Sequence, residues 1–141
     1  MRTALDTNIL SLIWSEGPVT PRILSALQAA KREGSLVISP AVYAESLAYP
    51  DYSEEEVIRF LDATGIAIDY QMSDSVWTEA GRRYGQYAAN RRKSIRENPR
   101  RLLADFIIGA HALIHANRLM TMDKSNFRQY FPELALYPIE E

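Results

Sequence analysis

A short strand pattern, Arg2 to Leu5, stops at a carboxylate, and helix periodicity begins at once: Ala4-Leu5-Asp6-Thr7-Asn8-Ile9-Leu10. An acid in that place stands at the carboxyl end of a strand. Open α/β sheets bind their ligands in the crevice outside that edge. The same layout recurs. Leu36-Val37-Ile38, Ile66-Ala67-Ile68 and Leu119-Met120-Thr121 are short apolar runs separated by helical patterns. Strands that alternate with helices argue a parallel sheet covered on both faces. Right-handed crossovers then fix much of the topology.

The helices announce their ends. Asp6 and Thr7 can cap a helix with the stripe Ile9, Leu10, Ile13 and Trp14, which Gly17-Pro18 ends. Thr20-Pro21 reads as an N-cap with proline in the first turn, and Gly34 as a left-handed stop. Ser39-Pro40 opens a helix over 41–48 that carries Glu45. Ser53 and Glu56 form a capping box, and the helix they open stops at Gly65. A long helix from Ser73 or Asp74, with Trp77, Ala80, Tyr84, Tyr87 and Ala88 on its stripe, must break near Asn98-Pro99. Leu102 to Ala116 is apolar nearly all round and should be buried on most sides. Phe127 to Phe131 is a short helix, and Leu134-Ala135-Leu136-Tyr137 a last strand, with Pro138 suited to an edge.

At 141 residues and 47% hydrophobic, the chain suffices for one domain with a real core, spanning 1–141. It has no cysteine, which excludes disulfides and thiolate metal sites. No apolar run approaches the ~20 residues of a membrane span, and no signal-peptide layout precedes the first strand. A soluble, cytoplasmic protein is expected. Charge is uneven: residues 82–101 hold eight Arg and Lys against Glu97, a local +7 in a chain of net charge −2. Such a stripe can hold a polyanion beside an acidic site. From charge alone a solvated helix face is the simpler reading.

Four acids fall on one edge of this architecture. Asp6 follows strand one, and Asp123 lies just past strand four. Glu45 is in the second turn of the helix leaving strand two. Asp105 is in the first turn of a helix that leads into strand four. Each has an ordinary role open to it: Asp6 as a cap, Asp105 as a dipole complement, Asp123 in a turn, Glu45 in solvent. Clustered together they repel, at a cost only a cation offsets. All-oxygen ligands favour Mg²⁺ or Mn²⁺. Such an ion beside a basic surface points to phosphodiester hydrolysis.

Four stretches, Leu5-Asp6-Thr7-Asn8-Ile9-Leu10, Ser39-Pro40-Ala41-Val42-Tyr43-Ala44-Glu45, Asp105-Phe106-Ile107-Ile108-Gly109-Ala110-His111-Ala112-Leu113 and Thr121-Met122-Asp123-Lys124-Ser125-Asn126-Phe127, match in order those of a known family. The chain resembles the PIN-domain nucleases, most closely the VapC-type toxins of toxin–antitoxin pairs. The resemblance implies a three-layer α/β/α sandwich with a short-stranded, mainly parallel central sheet. It implies a catalytic set of Asp6, Glu45, Asp105 and Asp123, with Asp6, Asp105 and Asp123 at the metal and Asn8 and Thr121 orienting carboxylates or water. It also implies Mg²⁺-dependent endoribonuclease activity on RNA such as tRNA or rRNA, a homodimer, and a cognate VapB-like antitoxin. The chain departs from the pattern at Asn117, where a glycine is common. It departs again in an arginine-rich lead into Asp105. There Arg91, Arg92, Lys93, Arg96, Arg100 and Arg101 are expected as an RNA-contacting rim, with an antitoxin or dimer contact as the alternative.

Three further features have structural readings. His111 and His115, four apart, point away from Asp105 and are expected to pack or hydrogen-bond. Tyr84 and Tyr87 are expected in the core or a dimer interface rather than stacked on bases. Ile9, Leu12, Ile13 and Trp14 serve a core as well as they would an antitoxin groove. The alternatives to a toxin are a PIN nuclease of RNA processing and a non-catalytic RNA-binding module.

Overall fold

The computed structural model describes residues 1–93 and 100–139. Its elements are β1 (Arg2–Leu5), α1 (Thr7–Trp14), α2 (Thr20–Glu33), β2 (Ser35–Ile38), α3 (Pro40–Ser46), α4 (Glu54–Thr64), β3 (Ile66–Ile68), α5 (Asp74–Lys93), α6 (Leu103–His115), β4 (Arg118–Met120) and α7 (Lys124–Tyr130). The sheet runs β3-β2-β1-β4, and every neighbouring pair is parallel. With right-handed crossovers, α1, α2 and α4 cover one face and α5 and α6 the other. This is the expected α/β/α sandwich. Strand order reverses between β1 and β4. The crevice at a switch point therefore opens at their carboxyl ends, where Asp6 and Asp123 lie.

The strands are short. β1, β2 and β4 bury most of their residues, Ala4 and Leu5, Leu36 to Ile38, Leu119 and Met120, while the edge strand β3 buries only Ile66. Burial on both faces explains why they read as unbroken apolar runs. β1 is extended by one bond, as the Asp6 amide donates to the Met120 carbonyl (3.0 Å). The expected strand at 134–137 shrinks to a single parallel bridge, Leu119 to Leu136. A turn occupies residues 132–133 before it, and Pro138 beyond it has no amide to continue the ladder.

Several end signals act differently from expectation. Ser53 and Glu56 do form the capping box, and Gly65 stops α4 at φ 70°. Gly34, however, is extended rather than left-handed. Its requirement is space, since a Cβ there would lie 1.7 Å from the Met1 carbonyl oxygen. Thr20 is the first residue of α2, not its cap. Its hydroxyl donates to the Leu12 carbonyl and accepts from the Gly17 amide, tying off α1 instead. Asn117 adopts no positive φ. Its side-chain Oδ1 accepts from the Arg2 amide (2.6 Å), so it serves β1. α3 ends at Ser46, two residues early, and α7 begins at Lys124, three early.

The two long helices pack on each other with a tighter division of faces than their composition predicts. α5 buries Val76, Ala80 and Tyr87 and leaves Trp77 54% exposed. The core face is set by Val76, and Trp77 is turned one residue away. α6 buries six residues from Phe106 to Ala112, but Leu103 and Ile114 reach solvent. The break near Asn98-Pro99 lies outside the described residues. Among the described residues no helix is long and apolar enough to cross a membrane.

Candidate active site at the carboxyl edge of the sheet

Asp6 is the hub of the site. It is the N-cap of α1, with Oδ1 accepting from the Thr7 amide (2.8 Å). Oδ2 accepts from the Thr121 hydroxyl (2.8 Å) and the Asn8 amide group (3.2 Å). Thr121 accepts in turn from the Asp123 amide (2.9 Å), and Asn8 Oδ1 from the Met122 amide (3.2 Å). Asn8 and Thr121 thus stitch the end of β1 to the end of β4. Both expected orienting residues lie where they can act on Asp6.

Glu45 reaches the same rim from α3. Its Oε1 accepts from the Thr7 hydroxyl at 2.6 Å. Thr7 holds Glu45 in place, a role the sequence reading did not assign. The signal was the hydroxyl residue directly after the first acid. Asp105 closes the first turn of α6, with Oδ2 accepting from the Leu102 amide (3.2 Å). The Asp123 side chain is 45% exposed, and its Oδ2 lies 3.5 Å from Arg101 Nη1.

The carboxylates feel one another. Burial pushes the Asp6 carboxyl up to about 6, and the charges of Asp105 and Glu45 add to that rise. The hydrogen bonds from Thr121 and Thr7 oppose it. Burial also raises Asp105. The Leu102 amide and Arg101 pull it down, and the charge of Asp123 pushes it up. Among the described residues no three acidic or histidine side chains close around a point as in a protein-only metal cage. Mg²⁺ does not need one, because it keeps several waters and takes one or two carboxylates. A buried, crowded carboxylate with hydroxyl and amide neighbours and no thiol fits such an ion.

Thr121→Val is expected to push Asp6 higher still, since it removes the strongest hydrogen bond opposing burial. An NMR titration of the Asp6 carboxyl carbon measures this. An unchanged midpoint would mean that the hydroxyl does not stabilise the carboxylate.

Arg91, Arg92, Arg100 and Arg101 line one open groove of about 540 Å³ between α5 and the start of α6. Lys93 is exposed at the end of α5 and is not part of the groove lining, and Arg96 lies outside the described residues. Tyr87 packs its ring on Phe106 and turns its hydroxyl to the Arg101 amide (2.6 Å). Tyr84 packs on the same ring, so neither is a free stacking platform. His111 bonds Asp69 (2.9 Å) and His115 bonds Ser73 (3.0 Å), both within the fold.

A family model described as PIN domain matches residues 3–131. The chain belongs to the PIN domain family. PIN domains are nucleases, and in general they use divalent metal ions. A search of curated proteins found no significant match. Solved structures share the PIN fold across the chain. VapBC-1 from nontypeable Haemophilus influenzae is 23% identical with a TM-score of 0.64, covering 96% of this chain and 96% of that one. VapBC2 from Rickettsia felis, bound to a DNA fragment from their promoter, is 22% identical with a TM-score of 0.65, covering 96% and 97%. FitAcB from Neisseria gonorrhoeae is 21% identical with a TM-score of 0.63, covering 96% of each.

Proposed function

We propose that this PIN domain is a metal-dependent endoribonuclease of the VapC type, the toxin of a toxin–antitoxin pair that inhibits translation. The reading rests on one observation above all: Asp6 is buried and its carboxyl raised, with the charges of Glu45 and Asp105 acting on it from two other segments. That arrangement is costly alone and is relieved by a divalent cation. Asp6 and Asp105 would hold Mg²⁺, for which Mn²⁺ substitutes, and Asp123 and Glu45 would complete the site. Bound there, the ion would polarise the phosphodiester and lower the pKa of its water. Thr121 and Asn8 fix the Asp6 carboxylate, and Thr7 fixes that of Glu45. The arginine groove would hold the RNA backbone, with tRNA or rRNA as substrate.

The VapBC and FitAcB neighbours support an antitoxin partner, and a homodimer in the cytoplasm belongs to the same proposal. Purified protein, freed of any bound partner, is incubated with total RNA in Mg²⁺, Mn²⁺ or EDTA beside Asp105→Asn. Discrete cuts that need metal and fall more than ~100-fold in the variant are expected, beyond the 10–100-fold typical of residues one shell out. Cleavage that survives in Asp105→Asn overturns the assignment. Harmless expression in a host without an antitoxin would move the enzyme to RNA processing. RNA binding without metal uptake would leave a binding module.

A further inference from the structure

Two consecutive residues connect the basic groove to the acids. The Arg101 amide donates to Tyr87 Oη (2.6 Å), and its Nη1 lies 3.5 Å from Asp123 Oδ2. The next amide, that of Leu102, donates to Asp105 Oδ2 (3.2 Å). Tyr87 is a core residue of α5, buried against Phe106 and Tyr130. Its hydroxyl thus anchors a surface arginine to the protein interior. Arg101 is itself mostly covered, and it also lines the groove with Arg91, Arg92 and Arg100. One side chain therefore touches both the acidic rim and the place where a polyanion would lie.

We propose that Arg101 is a positioning residue that alternates between two partners: it neutralises Asp123 in the metal-free protein, and it turns to a substrate phosphate once a divalent cation takes that carboxylate. The proposal rests on the metal-site reading above. A guanidinium on Asp123 competes with any cation for the same oxygens. When that carboxylate is neutralised, the attraction falls, and a phosphate in the groove offers two parallel hydrogen bonds in its place. Binding of RNA in turn draws Arg101 off Asp123, so substrate and metal favour each other. The Tyr87 tether fixes the pivot and leaves only the side chain to move.

Calorimetric titration with Mg²⁺ alone separates this from a structural role. Arg101→Gln is expected to bind Mg²⁺ about two- to five-fold tighter, the size of a part-exposed ion pair removed. Arg101→Lys keeps the competing charge and should return wild-type affinity. Tyr87→Phe, with its fold checked by melting temperature, should shift affinity the same way by less. Binding of a non-cleavable single-stranded oligonucleotide in Mg²⁺ should lose roughly 0.7 from its log–log salt slope in Arg101→Gln, whereas in EDTA, where the guanidinium stays on Asp123, the two slopes should agree. A wild type that binds Mg²⁺ with Arg101→Gln unchanged or weaker overturns this proposal alone. A wild type that takes up no Mg²⁺ overturns the metal site and this proposal together.

Discussion

Asp6→Asn is expected to make the metal-free protein more stable at pH 8 while lowering RNA cleavage by more than ~100-fold. The Asp6 carboxyl ionises near 3.8 in the unfolded chain and at about 6 in the folded one. Between those values the native protein holds a proton that the unfolded chain has lost. Stability therefore falls as pH rises from about 4 to 6, and the penalty persists above. Two pKa units correspond to roughly 3 kcal/mol. Asparagine cannot ionise and so removes the penalty. It keeps an acceptor for the Thr7 amide, but its NH₂ group meets the donors of Asn8 and Thr121. That conflict costs about 1 kcal/mol or more. A net gain of about 1–2 kcal/mol remains, or roughly 3–8 °C in melting temperature. At pH 4 the advantage should vanish, because the wild-type carboxyl is protonated. Charges far from Asp6 contribute equally to both proteins and cancel in the difference. Mg²⁺ should raise the melting temperature of the wild type only. A variant less stable than wild type at pH 8 by as much as at pH 4 would show that the carboxylate carries no strain.

Phe106→Ala should destabilise the protein by about 3–5 kcal/mol, which lowers the melting temperature by roughly 10–20 °C. Phe106 is 2% exposed, and its ring centroid lies 5.3 Å from Tyr84, 5.6 Å from Tyr87, 5.4 Å from Tyr130 and 6.3 Å from Phe131. These rings join α5, α6 and α7, and truncation leaves a cavity that four aromatic edges cannot fill without leaving their rotamers. Urea unfolding of the pure variant measures the loss. A cost below about 1.5 kcal/mol would mean that the cluster repacks. Phe106 follows Asp105 directly, so the same cluster that holds the helices together also sets where that acid stands.

What could be read from residues alone was what depends on neighbours in the chain. The apolar runs of β1, β2, β3 and β4, the capping box at Ser53 and the stop at Gly65 are local signals, and the structure keeps them. The placement of Asp6 and Asp123 after strands, and of Glu45 and Asp105 early on helices, was legible from the order of the elements. What was not legible came from distant partners. Gly34 is shaped by Met1, Thr20 by Leu12, and Asn117 by Arg2. Trp77 lost its place in the core because packing against α6 chose a face one residue over. The Thr7–Glu45 bond spans 38 residues, and the Tyr87 tether joins a helix to the chain beyond it. No spacing rule within one element predicts either.

The pairing of β1 with β4 has a consequence for synthesis. Asp6 is among the first residues made, yet the Thr121 hydroxyl that holds its carboxylate follows 115 positions later, and Asp123 later still. All the sheet contacts are parallel and close long stretches of chain, which slows their formation. A polypeptide that stops before β4 has the first acid without the Thr121 hydroxyl that holds its carboxylate. The Asp6 corner of the rim is therefore completed only when the chain is almost finished.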